Sequence, residues 1–521
     1  MRMNTTKQRV VFCACILFAG VANGGGSTNR VTQYGIIWTF DKDYPVGQFI
    51  NGDWWVVGPV QVTKVSPEAG PVVENDFAEV KSRYGARALR PDGRMRNGSM
   101  IIEGPDTRNG DRTGFNNQGY DSRVVNYSSP RSVEFPCLLE ANRSLVSTIS
   151  SENYEDGKLK TVDILGESRV LMCRVESPLA LLSAAVLTCL DAPPPPDAFR
   201  PPYAGTEKPL YRAKDIQWDR LPAFPALESS PDWGTMERLF ERPWLDHTSS
   251  WRIQYTQPGG NGPHYGREFA RLSSLAVLML LQDVPVEEKR LLLVRYLQLG
   301  IDLSGLAQVG RQWASDGGHW QGRKWPILFA SLMLDDEALR AFPPIDLGHP
   351  VYGSVRVAAS DEVKVPTTLF QEDMDYYYGQ GGDGQGVLWQ IVYHSGPQPS
   401  YQETPRSKIT KKQKFSDGYH FNNVASGVGV ALAAQLMEAR AVWNHDAFFD
   451  YVDQWMADDE PCGPDWLPQG ARRTYDPFVE RMWEAYRGEV PDQPGGTDPV
   501  KWIWKSGATG CWISNPRKEL N

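Results

Sequence analysis

Apolar positions recur at two different periods along this chain. From about residue 30 to 190 they fall in short aromatic and β-branched runs: Tyr34 to Phe40, Trp54 to Val57, Val60 to Val65, Arg169 to Val175 and Leu181 to Leu190. Asn51-Gly52-Asp53 and Gly58-Pro59 punctuate them, so a β-rich region over 30–195 is expected. Between these runs, Arg94 to Ser129 is rich in Gly, Asn, Asp and Arg and reads as a long surface loop. The prolines of 192–203 fit neither a regular helix nor a central strand, because proline lacks the backbone donor; a boundary is expected there.

Beyond about residue 230 the period becomes helical. Asp232 to Leu245, Gly266 to Leu281, Val286 to Leu303, His319 to Leu334, Ala425 to Val442 and Trp443 to Met456 carry apolar stripes of helix length. Residues 343–420 break this rhythm, being rich in Gly, Tyr and Gln, and read as a long loop or lid. No fixed-period repeat is visible. A toroid of helical hairpins, which repeats structure more than sequence, is compatible with the pattern.

The first residues read as an address. Arg2, Lys7 and Arg9 precede an apolar run from Val10 to Ala22, then small residues, which predicts a signal peptide over 1–24 and a secreted or periplasmic protein. The run is shorter than the roughly 20 residues a membrane helix needs, and no later window is long and apolar enough. The formal charge of −9 argues against nucleic acid as the main ligand. Five cysteines lie beyond the signal, at 137, 173, 189, 462 and 511, without a C-x-x-C pair. They are either buried thiols or disulfides such as Cys173 with Cys189 or Cys462 with Cys511. The 18 Trp, 21 Tyr and 19 Phe suit a packed core and stacking on sugar rings alike.

Three polar clusters share one layout: a glycine-containing loop followed by an apolar helix. They are Gln257 to Glu268, with Asn261 and His264; Ser315 to Trp325, with His319, Trp320 and Arg323; and Ser416 to Asn423. Helices running alternately up and down would gather these loops at one mouth, where free amides favour anions. A fourth cluster, Phe370 to Gly379, holds Tyr376-Tyr377-Tyr378 between acids and glycines, and Tyr393, His394 and Tyr401 follow. Each residue also has a structural reading. Asn261 can be a turn residue, His264 a cap, Arg323 an ion-pair partner and any one tyrosine a packed ring. Asp316 and Glu268 read as caps or ion-pair partners. No G-x-S-x-G elbow, P-loop or H-E-x-x-H motif occurs.

Gly318-His-Trp-Gln-Gly-Arg-Lys-Trp-Pro326, the Asn261 loop and the tyrosines before Gly379 together resemble polysaccharide lyase family 38, the glucuronan/alginate lyases, over residues 230–460. The resemblance implies a mainly α fold, an incomplete (α/α)n toroid over 230–521 with an N-terminal β-rich region. It also implies β-elimination on a 1,4-linked polyuronate. That reaction needs donors that neutralise the C6 carboxylate, a base for the C5 proton and an acid for the leaving O4. Carried onto this chain, Asn261 and His319 are the neutralisers, and Tyr377, with Tyr378 next, is the base and acid. His264, Arg323, Trp320 and Tyr401 bind substrate. The anionic polysaccharide is the expected partner, and no cofactor or metal is implied. Residues 368–378 contain no arginine, a departure from the family pattern. Two other readings stay open: a glycoside hydrolase on a helical barrel using two of Glu372, Asp373, Glu403 and Asp417, and a non-catalytic carbohydrate-binding protein.

Overall fold

In the computed structural model the described residues are 25–70, 95–104, 117–122, 127–150, 181–248, 257–258, 266–315, 317–342, 368, 370–378, 387–389, 418–457, 473–496, 501–504 and 511–514. The signal segment, Asn261, His264, Tyr401, Glu403 and Asp417 lie outside them.

The short apolar runs of the N-terminal part pair into one sheet. Its strands are β1 (Gly26–Gln33), β2 (Ile36–Gln48), β3 (Trp54–Val57), β4 (Val60–Ser66), β5 (Ser99–Ile101), β6 (Cys137–Leu139), β7 (Arg143–Ser150) and β8 (Leu181–Leu190). The order is β5-β7-β8-β3-β2-β4-β6, with β1 added on β2. β3 and β8 run parallel and the other pairs antiparallel. Register shifts in β1–β2, β2–β4 and β7–β8 bend the strands, and the sheet curls into a half-barrel. β8 is buried at every position but Leu182, the continuous apolar pattern of a strand covered on both faces.

Two cores explain that burial. Inside the curl, Ile36, Trp38, Val56, Val62, Leu145 and Leu187 pack together. On the other face, Met100, Val146 and Val186 join the core of the helical layer. That layer holds α1 (Trp233–Leu239), α2 (Gly266–Leu280), α3 (Val286–Gln308), α4 (Lys324–Met333), α5 (Gln371–Met374), α6 (Gly418–Leu436), α7 (Arg440–Trp443), α8 (Asp446–Met456) and α9 (Pro477–Tyr486). α2 is buried nearly all round, its polar side included: Glu268, Arg271, Ser273 and Ser274 are all buried. Two small hairpins, β9 (Tyr376–Tyr378) with β10 (Val387–Trp389) and β11 (Lys501–Trp504) with β12 (Cys511–Ser514), complete the described elements.

The expectation of a mainly α toroid with a β appendage is therefore corrected. The sheet is a principal layer, and the main core is shared between its face and the helices. The helical period reported that helices exist; it carried no information on whether they close into a ring or lie on a sheet. Of the proline-rich stretch, 192–197 is exposed or half-buried and 198–205 is packed inside. Phe199, Tyr203, Ala204 and Ala213 sit in the main core. Arg200 bridges Asp53 in the β2–β3 turn, at 2.5 Å, to Asp302 on α3. The expected surface loop contributes strand β5 and a buried turn around Tyr120. Cys189 is a free buried thiol, its pKa pushed up to about 12 first by burial, so it is not paired with Cys173; Cys137 is also free. Among the described residues no helix is long and apolar enough to cross a membrane.

Candidate active site

Residues 317–323 are approached by Gly266, by Asn423 and Ser426, and by Gln371 and Glu372. α2 begins at Gly266, where the Asn261 segment ends. A Cβ on Gly266 would overlap the backbone of Gly318 and His319, so only glycine permits this approach. From the third cluster, Asn423 on α6 donates to the Gly317 carbonyl at 3.2 Å, and Ser426 donates to Gln321 Oε1 at 2.9 Å. From the fourth, Gln371 donates to the Gly317 carbonyl at 2.6 Å and accepts from Trp320 N at 2.9 Å. Glu372 Oε1 accepts from Gly322 N at 2.6 Å. β9 then leaves this junction through Asp375, which accepts from Ser315 Oγ and from Gln371 Nε2. Residues from three separate stretches thus fix one loop.

Gly266→Ala is expected to cost about 1–3 kcal/mol through this overlap. Chemical denaturation reads the stability, and displacement of His319 predicts a matching loss of any turnover.

The predicted site residues divide into three groups. His319 is buried in the loop, ring edge toward Trp320. Tyr377 and Tyr378 lie on β9, paired with Leu388 and Val387, directly after the segment that grips the loop. Trp320 and Arg323 have a different place from the one expected. Both are fully buried, and Arg323 Nε and Nη2 grasp Asp246 at 3.0 and 3.1 Å while Nη1 donates to the carbonyls of His319 and Gln321. Its guanidinium stacks on Phe269 at 3.4 Å. Arg323 therefore holds the loop that carries His319. Glu268, expected as an ion-pair partner, binds Arg271 and Arg267.

Several groups escaped the sequence reading. Asp246 is the hub acid, accepting also from Trp313 Nε1 at 2.7 Å. Around the loop, four buried polar atoms have no hydrogen-bond partner: Gln321 Nε2, Glu372 Oε2, Tyr376 OH and Asn423 Oδ1. Gln321 approaches the Tyr376 phenol without closing a good hydrogen bond. Burial, and then Asp375, push that phenol well above its usual range, so Tyr376 stays protonated. Its distinguishing signal, a tyrosine packed on Phe448 and Tyr451, depends on residues more than seventy positions away.

Burial raises Glu372 to about 7, reinforced by Asp373 and opposed by the amides of Glu372 and Gly322 and by Lys324. Because the folded pKa lies above the unfolded one, its stabilising contribution is complete below about 4.5 and is lost as pH rises through about 7. The shift corresponds to roughly 3 kcal/mol. Glu372→Gln is expected to remove that loss, so denaturation midpoints should diverge from wild type as pH rises from about 4.5 to about 7 and stay apart above it. Among the described residues no group of three or more His, Cys, Asp or Glu is placed to hold a metal ion.

In comparisons with protein-family models, curated proteins and solved structures, nothing matches this chain.

Proposed function

We propose that the chain is a secreted polysaccharide lyase that cleaves a 1,4-linked polyuronate, glucuronan or alginate, by β-elimination. The observation that carries this reading is the meeting of loop 315–323, the start of α2, the start of α6 and β9 at one buried polar junction with unpartnered donors and acceptors. Buried polar groups without partners are costly, and a ligand rich in hydroxyls and carboxylate oxygens complements them.

In this mechanism His319, with Asn261, hydrogen-bonds the C6 carboxylate and withdraws its charge, which acidifies the C5 proton. Tyr377 removes that proton. The C5–H electrons form the C4=C5 bond, the C4–O4 bond breaks, and the departing O4 takes a proton from a tyrosine. Arg323 and Asp246 keep His319 in place.

One observation favours a second reading. A carboxylic acid whose pKa is raised to about 7 by burial, as for Glu372, suits the acid of a glycoside hydrolase. Asp373, its nearest candidate partner in sequence, is tied to Lys324 at 2.5 Å.

The test is a panel of glucuronan, mannuronate-rich alginate, guluronate-rich alginate and neutral glycans, followed in the ultraviolet. The lyase reading expects rising absorbance from a new C=C bond with one of the uronates. New reducing ends without that absorbance would establish the hydrolase instead.

A further inference from the structure

A second group of unpartnered polar atoms centres on His247. Both ring nitrogens of His247, the hydroxyls of Tyr120 and Thr248, and Gln257 Nε2 are buried without hydrogen-bond partners. His247 is 1% exposed, its ring edge-on to Tyr120 at 5.6 Å and to Tyr203 at 6.1 Å. Gln257 Oε1 accepts from Leu245 N at 3.0 Å, which holds its amide next to the same segment. Arg311 links the two groups. Its guanidinium lies 4.7 Å over the Trp320 ring and donates to the carbonyls of Asp246 and Thr248.

A buried polar atom left unpaired costs about 1–3 kcal/mol. Five such atoms on four neighbouring residues call for a common explanation. The charge around them defines what would fit. Burial, then Arg131 and Arg311, lower His247 to about 3, so the imidazole is neutral and sits in a positive field. Burial also keeps the Tyr120 phenol protonated. The group therefore offers O–H and N–H donors under a positive potential. That combination rejects ammonium groups and suits a small anion with several acceptor oxygens.

We propose that His247, Tyr120, Thr248 and Gln257 form a second carboxylate subsite, which takes the uronate neighbouring the one held at His319. The pairing with His319 rests on the polyuronate reading; the carboxylate specificity does not. Two carboxylates bound on either side of Arg311 would make the chain prefer a polymer that is charged at consecutive residues over one with alternating neutral sugars.

The experiment uses the full chain with isotope-labelled histidine. The His247 ring signals are assigned by their disappearance in His247→Gln, and glucuronate or glucose is titrated in. The subsite predicts that glucuronate shifts the His247 signals, that glucose does not, and that Tyr120→Phe weakens the response about tenfold or more. Tyr120→Phe removes only an unpartnered hydroxyl, so its folding stability should equal or exceed wild type. If glucuronate leaves the His247 signals in place, the group holds water alone and the proposal is wrong. Failure of the polyuronate reading looks different: no cleavage of any uronate, with the glucuronate shift intact. Where cleavage does occur, Tyr120→Phe should raise KM for long oligouronates and leave kcat unchanged; an unchanged KM overturns the link between the two subsites.

Discussion

Asp246→Ala is expected to destabilise the fold by about 3–5 kcal/mol, the range for removing one partner of a buried ion pair. Asp246 and Arg323 are both fully buried, and the carboxylate accepts two of the guanidinium's hydrogen bonds and one from Trp313. Truncation leaves a charged Arg323 with only the carbonyls of His319 and Gln321 as hydrogen-bond acceptors, beside the Phe269 ring. Asp246→Asn keeps the shape and the acceptor, so it should lose less. Pairing Asp246→Leu with Arg323→Met should recover much of the stability while His319 still loses its anchor, because apolar replacement of a whole buried pair is often tolerated. Urea denaturation measures all four proteins. A loss for Asp246→Ala below about 1 kcal/mol would show that the pair does not organise the loop.

The largest effect on turnover is expected at Tyr377. If Tyr377 is the base and acid we propose, its replacement by Phe should lower kcat by about 10²–10⁴ with little change in stability. Tyr376→Phe is the internal control. That hydroxyl is buried, unpartnered and held protonated, so its removal should leave kcat near wild type. His319→Ala should lower kcat by about 10²–10³, the typical cost of losing one preorganised donor to a developing charge. If Tyr377→Phe retains full turnover while Tyr378→Phe abolishes it, the proton passes through the neighbouring residue. If both retain turnover, the tyrosine mechanism fails.

The sequence made local features legible and left the non-local ones hidden. β3 and β8 have the ends that the apolar runs suggest, and α2 ends one residue earlier, because period and turn residues act over a few positions. The helix expected from His319 starts only at Lys324, since Gly317 and Gly322 at positive φ hold a loop first. Pro326 fits that first turn, where its missing N–H would have no helical partner. What escaped was pairing at a distance. Arg323 looked like a ligand for substrate because its acid, Asp246, is 77 residues away. Ser99 to Ile101 looked like loop because three residues carry no period, and their strand character comes from pairing with β7. The toroid failed for the same reason: the contact between sheet face and helical layer is a tertiary fact.

Elimination across C4–C5 of a polyuronate at this buried junction would add no water to either fragment. Digestion of the susceptible uronate in heavy-oxygen water, with mass analysis of the fragments, tests it most directly. Unsaturated ends free of the heavy label are the predicted outcome; one heavy oxygen gained per cut, or no cut in any uronate, would contradict it.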